Sequence, residues 1–152
     1  MVTIHHVLFC TDFSKSANAA LPFAIDIAKK YGAMLHIIHV YQDPGHMAEF
    51  EISSDIKMDW IRMAHSMGTE REKKLREVCS EISGEVTSCE YKMLWGRPDT
   101  EIVAYAKKNK IDLIVLSSHG LTGWQHVFFG STAERVLRES PCNVLVIRSP
   151  EK

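Results

Sequence analysis

The chain has 152 residues, of which 45% are hydrophobic and 24% are charged. Its 18 Lys and Arg balance 19 Asp and Glu, so the formal net charge is −1. That balance argues against a dedicated nucleic-acid binder, which usually carries a basic excess. No stretch approaches the roughly 18 consecutive apolar residues of a membrane span, and no basic residue precedes the first apolar run, as it would in a secretory signal. We therefore expect one domain over residues 1–152, located in the cytoplasm, that binds neither nucleic acid nor membrane.

The first half of the chain alternates short apolar runs with helical periodicity. In chain order, the pattern predicts a buried strand over 4–10, a helix over 14–31 that ends at Gly32, a strand over 33–40 and an irregular segment over 41–53. A long apolar stripe then runs from Ile56 to Ile82. Gly68 and Thr69 interrupt that stripe, so we expect the helix to be broken or bent near Gly68.

The second half continues the same alternation. The pattern predicts an edge strand over 86–95, a turn at 96–99 into a helix that ends near Asn109, a buried strand over 112–116, a glycine-bearing loop over 117–130, a helix from 131 to about 139 and a last strand over 143–148. Strands separated by helices imply right-handed crossovers and a parallel sheet. Five such strands predict a doubly wound α/β fold, with helices on both faces and a ligand site where the winding reverses.

The four cysteines predict no disulfide. They are Cys10, Cys79, Cys89 and Cys142, which are scattered and form no C-x-x-C pair. In a reducing compartment cysteines stay as thiols. Cys10 and Cys142 lie in apolar runs and are interpreted as small core residues.

Two segments at the carboxyl ends of predicted strands carry groups suited to a ligand. The first is 10–14, and the second is 117–123 together with Gly130, Ser131 and Thr132 at a helix start. Free N–H groups at a helix start attract phosphate, glycine permits close backbone approach, and hydroxyls add donors. The same residues also fit ordinary turn glycines and a serine helix cap. No Walker A sequence is present.

The sequence gives weaker support to two other kinds of site, a hydrolase triad and a histidine metal site. Ser117, Ser118 and His119 with Asp12 would make a hydrolase triad, but the chain lacks a G-x-S-x-G elbow. A serine next to its base in sequence is also poorly placed to meet it. His36 and His39 face opposite sides of a strand and cannot share a metal, and adjacent His5 and His6 fail for the same reason. We therefore predict no catalytic residue and no metal site.

Ser117-Ser118-His119-Gly120, followed after nine residues by Gly130-Ser131-Thr132, resembles the nucleotide-binding loop of the universal stress protein family. ATP-binding members of that family carry G-x2-G-x9-G-[S/T], and Ser117 here replaces the first glycine. Further matching segments are Thr11-Asp12-Phe13-Ser14, His39-Val40, Gly96-Arg97-Pro98, Asp112-Leu113-Ile114-Val115 and the run from Pro141 to Val146. The resemblance covers essentially the whole chain.

The resemblance implies a sheet of order 3-2-1-4-5, a homodimer, and ATP or AMP, optionally with Mg²⁺, across the ends of strands one and four. By position, the resemblance implies that Asp12 and Val40 would hold adenine and ribose, and that Thr11 lies in the same site. The phosphates would be cradled by Gly120, Gly130, Ser131 and Thr132, with Ser117 obstructing them or donating to them.

The function that the resemblance implies is a stress-response sensor or regulator with at most slow hydrolysis. The alternatives are a nucleotide phosphohydrolase and a dimeric interaction protein without nucleotide. The apolar edge strand over 143–148 is the expected dimer contact, because an uncharged edge is a template for pairing.

Overall fold

The computed structural model describes residues 1–42, 54–119 and 130–148. Within those ranges the strands are β1 (His6–Cys10), β2 (Met34–Tyr41), β3 (Ser88–Trp95), β4 (Leu113–Ser117) and β5 (Asn143–Ile147). The helices are α1 (Lys15–Tyr31), α2 (Ser54–Glu81), α3 (Pro98–Lys108) and α4 (Ser131–Glu139). The predicted alternation of strands and helices is thus confirmed, with boundaries shifted by a few residues.

The strands form one parallel sheet in the order β3-β2-β1-β4-β5, as predicted. β1 lies at its centre, with Leu8 opposite both His36 of β2 and Ile114 of β4. The chain winds outward from β1 in one direction and then returns to start again at β4. The carboxyl ends of β1 and β4 therefore flank the switch point of the sheet.

Each face of the sheet carries its own apolar core. On one face, α1 and α2 cover a core that includes Phe9, Leu35 and Leu75. On the other face, α3 and α4 cover a core that includes Leu8 and Ile114. Because β1, β2 and β4 are buried on both faces, their sequences are mostly apolar, with His36 and His39 as buried polar residues of β2.

Of the two outcomes predicted near Gly68, the break is wrong, because α2 runs without interruption through that residue. A Cβ at Gly68 would lie 3.2 Å from Cζ2 of Trp95. The glycine therefore makes room for the indole at the end of β3. Thr69 lies inside the helix, and its hydroxyl donates to the carbonyl of His65 at 3.0 Å instead of capping a new helix.

The expectation of no disulfide is also wrong, since Cys79 of α2 and Cys89 of β3 are bonded. The two residues are only 10 positions apart, and the turn between α2 and β3 returns the chain so that their Cα atoms lie 5.8 Å apart. Cys10 and Cys142 are free thiols packed at the core under α3 and α4, as predicted.

Candidate functional site

A cavity of about 230 Å³ lies at the switch point, between the carboxyl ends of β1 and β4. Its walls are Cys10, Thr11, Asp12, Ile38, Val40, Pro98, Ile102, Leu116, Ser117, Ser118, His119, Gly130, Ser131, Thr132 and Ala133. Seven of the eight predicted site residues therefore meet in one place. The eighth, Gly120, lies outside the described residues.

The loop after β1 is shaped by its own side chains. The Thr11 hydroxyl accepts from the backbone N–H of Phe13 at 2.9 Å, and the Asp12 carboxylate accepts from that of Ser14 at 2.9 Å. Ser14 then caps α1 by accepting from the Ala17 N–H at 3.1 Å. These contacts turn the chain sharply at the sheet edge and hold Thr11 and Asp12 in the cavity wall.

Gly130 brings the start of α4 against the end of β4. Its N–H donates to the Ser118 carbonyl at 2.7 Å, and a Cβ added to it would lie 3.1 Å from the same oxygen. Any residue can adopt the extended backbone of Gly130, with φ −66°. Glycine is favoured here because the Ser118 carbonyl lies too close for a side chain. α4 receives no side-chain cap at this end, and the residues of its first turn line the cavity.

The segment after β4 contains two hydrogen bonds that sequence reasoning missed. Ser117 donates its hydroxyl proton to the His119 carbonyl at 2.8 Å. Ser118 Oγ lies 2.8 Å from His119 Nδ1, although a serine next to a histidine in sequence was expected to be poorly placed for such a contact. Ser118 is nevertheless only 2% exposed, so its hydroxyl organises His119 and is poorly accessible to a substrate.

α3 supplies a wall of the cavity that the sequence analysis did not foresee, through Pro98 and Ile102. The first turn of α3 is tied to α4 by Asp99, whose Oδ2 lies 2.9 Å from Arg97 and 3.5 Å from Arg135. Burial, the strongest single influence, raises the pKa of Asp99. The hydrogen bond from Arg97 and the two positive charges outweigh burial, so the pKa lies below its ordinary value. The carboxylate stays ionised and holds two walls together.

The thiol of Cys10 is a poor nucleophile despite its place in the wall. Burial raises its pKa far above the ordinary value, with the nearby Cys142 adding to the effect. A thiol held in the protonated form has little thiolate to react.

Among the described residues, no group of three or more His, Cys, Asp or Glu side chains is placed to hold a metal ion. The described part of the chain also contains no helix long and apolar enough to cross a membrane. A wider groove of about 510 Å³ lies between β3 and α3, away from the switch point. Its walls are exposed and half-buried residues of β3 and of α3 with its C-terminal end.

The fold and the cavity define a doubly wound α/β protein whose switch point carries a site with both polar and apolar walls. The sequence profile of the universal stress protein family matches residues 3–148. The chain is 34% identical to a universal stress protein of Methanocaldococcus jannaschii over 147 residues, which are 96% of this chain and 83% of that protein. The chain therefore belongs to the universal stress protein family.

Solved structures agree with that assignment. The universal stress protein UspA from Lactobacillus plantarum superposes with a TM-score of 0.85 at 26% identity, over 97% of this chain and 100% of that one. A universal stress protein in complex with cAMP superposes with a TM-score of 0.62 at 25% identity, over 97% of this chain and 98% of that one. At least one similar protein thus binds an adenine nucleotide.

Proposed function

We propose that this protein is a homodimeric ATP- or AMP-binding module that acts as a sensor or regulator in a stress response. The observation that carries the proposal is the cavity itself. It joins the turn after β1, the segment after β4 and the first turn of α4 at the switch point, where doubly wound sheets bind their ligands. The similar protein that holds cAMP supports an adenine nucleotide as the ligand class.

The phosphates would lie against the start of α4. Gly130 has no side chain to cap the helix, and Ser131, Thr132 and Ala133 line the cavity. The first N–H groups of a helix and its dipole favour an anion. The hydroxyls of Ser131 and Thr132 are further donors for phosphate oxygens.

The nucleoside would lie at the other end of the cavity. Asp12 is half-buried in the wall, and its carboxylate can accept from ribose hydroxyls in addition to its bond with the Ser14 N–H. Val40, which is only partly buried in the same wall, would supply apolar contact for the adenine ring.

The described residues favour binding over turnover. Ser118 is buried and Cys10 is held as a thiol, so neither is an activated nucleophile. The alternative is a phosphohydrolase, and the Ser118–His119 contact is the one observation in its favour. Steady release of phosphate from ATP, well above a protein-free control and lost in His119→Ala, would select the phosphohydrolase.

The dimer would form along β5. The carbonyl of Ile147 accepts from the Ser118 N–H at 2.9 Å, so Ile147 directs its backbone groups toward β4. Residues alternate along a strand, and Val144 and Val146 therefore direct theirs to the free edge. Val144, Leu145 and Val146 are only partly covered in the single chain, which favours pairing with a second copy about a two-fold axis.

Nucleotide content is the deciding measurement. Purified protein is denatured, and the released small molecules are separated and identified by their adenine absorbance and mass. Calorimetric titration of nucleotide-free protein with ATP, AMP and cAMP, each with and without Mg²⁺, then ranks the ligands. An empty protein that also gives no heat with any of the three would reject nucleotide binding and leave the interaction protein as the function.

A further inference from the structure

His39 of β2 lies beneath the turn after β1, where both of its ring nitrogens are engaged. Nδ1 lies 2.8 Å from the Thr11 carbonyl oxygen, and Nε2 lies 3.0 Å from Nη1 of Arg71. A carbonyl oxygen only accepts and a guanidinium only donates. The ring must therefore carry its proton on Nδ1 and leave Nε2 free to accept from Arg71. One neutral tautomer satisfies both partners.

The surroundings of His39 favour that neutral form. The side chain is only 4% exposed. Burial lowers the pKa of His39, and the Arg71 charge lowers it further, while the Thr11 carbonyl and the Asp12 charge oppose them. The net pKa lies below the ordinary value, so a second ring proton is disfavoured near neutral pH.

The backbone of Thr11 is held through both of its polar groups. Its N–H donates to the Ile38 carbonyl at 3.0 Å, and its own carbonyl accepts from His39. Phe13 has a left-handed backbone with φ 62°, and its ring packs 4.8 Å from the His39 ring. Asp12 lies between these two fixed points. Loss of the His39 donor would let the Thr11 peptide turn and would redirect Asp12 within the cavity.

Arg71 brings α2 into this arrangement, although none of the α2 side chains that the structure describes lines the cavity. The guanidinium carbon of Arg71 lies 4.9 Å from the ring centre of Tyr41, which holds it over the end of β2 by a cation–π contact. A connected path therefore runs from α2 through Arg71 and His39 to the backbone beside Asp12.

We propose that His39 is a positioning residue for the nucleotide site and that Arg71 holds its ring in place through Nε2. The inference rests on the proposed function. It assigns to α2 a part in ligand binding that the cavity walls alone do not show. His39 acts by fixing the Thr11 carbonyl, without touching the ligand.

The test uses substitutions that separate the two ring contacts. His39→Asn places an amide N–H near the position of Nδ1 and keeps the bond to Thr11, whereas His39→Leu removes it. His36→Asn is the matched control, because His36 is a buried histidine on the same strand that faces His6 and Tyr105 on the other side of the sheet. Calorimetry with AMP should show about tenfold weaker binding for His39→Leu, the equivalent of one lost hydrogen bond to a buried acceptor. His39→Asn and His36→Asn should stay within about threefold of wild type.

The ring tautomer is a second readout that needs no ligand. In ¹⁵N-labelled wild type, the His39 ring should give the signals of the Nδ1–H form at pH 7. In Arg71→Met the ring should keep the Nδ1–H form, because the Thr11 carbonyl still accepts, and it should take up its second proton at a higher pH. Equal affinity for AMP in wild type and in folded His39→Leu would overturn the proposal, as would an unchanged pH of second protonation in Arg71→Met. If wild type bound no nucleotide, the proposed function would fall, and the protonation of the ring would still test the link between Arg71 and His39.

Discussion

The two edges of the sheet are built in opposite ways. At the β3 edge, the strand carries charged Glu90 and Lys92, and a disulfide ties it to the helix above it. At the β5 edge, the strand Asn143–Ile147 is apolar through its middle and has no covalent tie among the described residues. Charges on an edge strand discourage pairing with other chains, whereas an apolar edge invites it.

One half of the molecule is thus closed by contacts within the chain, whereas we propose that the other half is completed by a ligand and a second copy. The β3 half is closed by its own helix and by the Cys79–Cys89 bond. The β4 and β5 half holds the start of α4 and the free edge, where we place the phosphates and the second copy. Four changes test this division, given from the largest expected effect to the smallest.

Gly130→Val should abolish most nucleotide binding, since a branched side chain would press on the Ser118 carbonyl 3.1 Å away and into the phosphate position. Hydrogen bonds to a charged group contribute about 1.5–3 kcal/mol, so blocking one phosphate contact should give roughly 10–100-fold weaker binding by calorimetry. Gly84→Val is the matched control, because no atom lies within 4 Å of a Cβ there. Equal affinity in folded Gly130→Val protein would remove α4 from the site.

Reduction of Cys79–Cys89 should lower the free energy of unfolding by about 2–3 kcal/mol, because the bond closes a loop with a sequence separation of 10. Urea unfolding of wild type with and without a dithiol reductant measures the difference. A Cys79→Ala/Cys89→Ala protein should not respond to the reductant. If the reductant changed both proteins equally, the bond would not be the stabilising element of the β3 half.

Val146→Pro should weaken the dimer by about tenfold or more, since it removes an edge donor from each copy, at about 0.5–1.5 kcal/mol per hydrogen bond. Proline is tolerated on an edge strand when its missing N–H faces outward. Sedimentation over a range of concentrations gives the dissociation constant, and circular dichroism checks the fold. Wild type that sediments as a monomer at tens of micromolar would exclude β5 as the contact.

Ser117→Gly should tighten ATP binding a few-fold. The Ser117 hydroxyl donates its hydrogen bond to the His119 carbonyl at 2.8 Å. Only its oxygen lone pairs are then left for a nearby phosphate, and they would repel the phosphate oxygens. Ser117→Ala separates this repulsion from simple bulk, because it keeps the Cβ and removes the oxygen. Weaker ATP binding to the glycine protein would mean that the hydroxyl serves the ligand instead.

Much of the fold could be predicted from the sequence, because buried strands and amphipathic helices leave distinct periodicities. Strand order came from the resemblance, since periodicity does not determine which strands are neighbours. Six of the seven described site residues were found because they lie in the segments that follow β1 and β4, whereas Val40 came from the resemblance. Pro98 and Ile102 were missed because a helix wall of a cavity has the same pattern as a buried helix face.

The other misses concern contacts that depend on register or on neighbouring elements. His36 and His39 do face opposite sides of β2, as predicted. His6 nevertheless lies 3.1 Å from His36, a pairing set by the alignment of β1 with β2. Gly68 indicated a break because glycine weakens an isolated helix, and only the Trp95 indole explains its place inside one. Cys79 and Cys89 pair because a turn reverses the chain between them.

The Cys79–Cys89 bond also makes the chain between those residues a covalent ring. Ser83, Gly84 and Glu85 form its exposed outer turn. A Glu-specific protease that cuts after Glu85 would open one peptide bond without separating the two parts of the molecule. The nicked protein should keep its full mass on a non-reducing gel and divide into two fragments only after reduction. After cleavage in the turn before β3, the disulfide would therefore keep β3 attached to the helix that covers it.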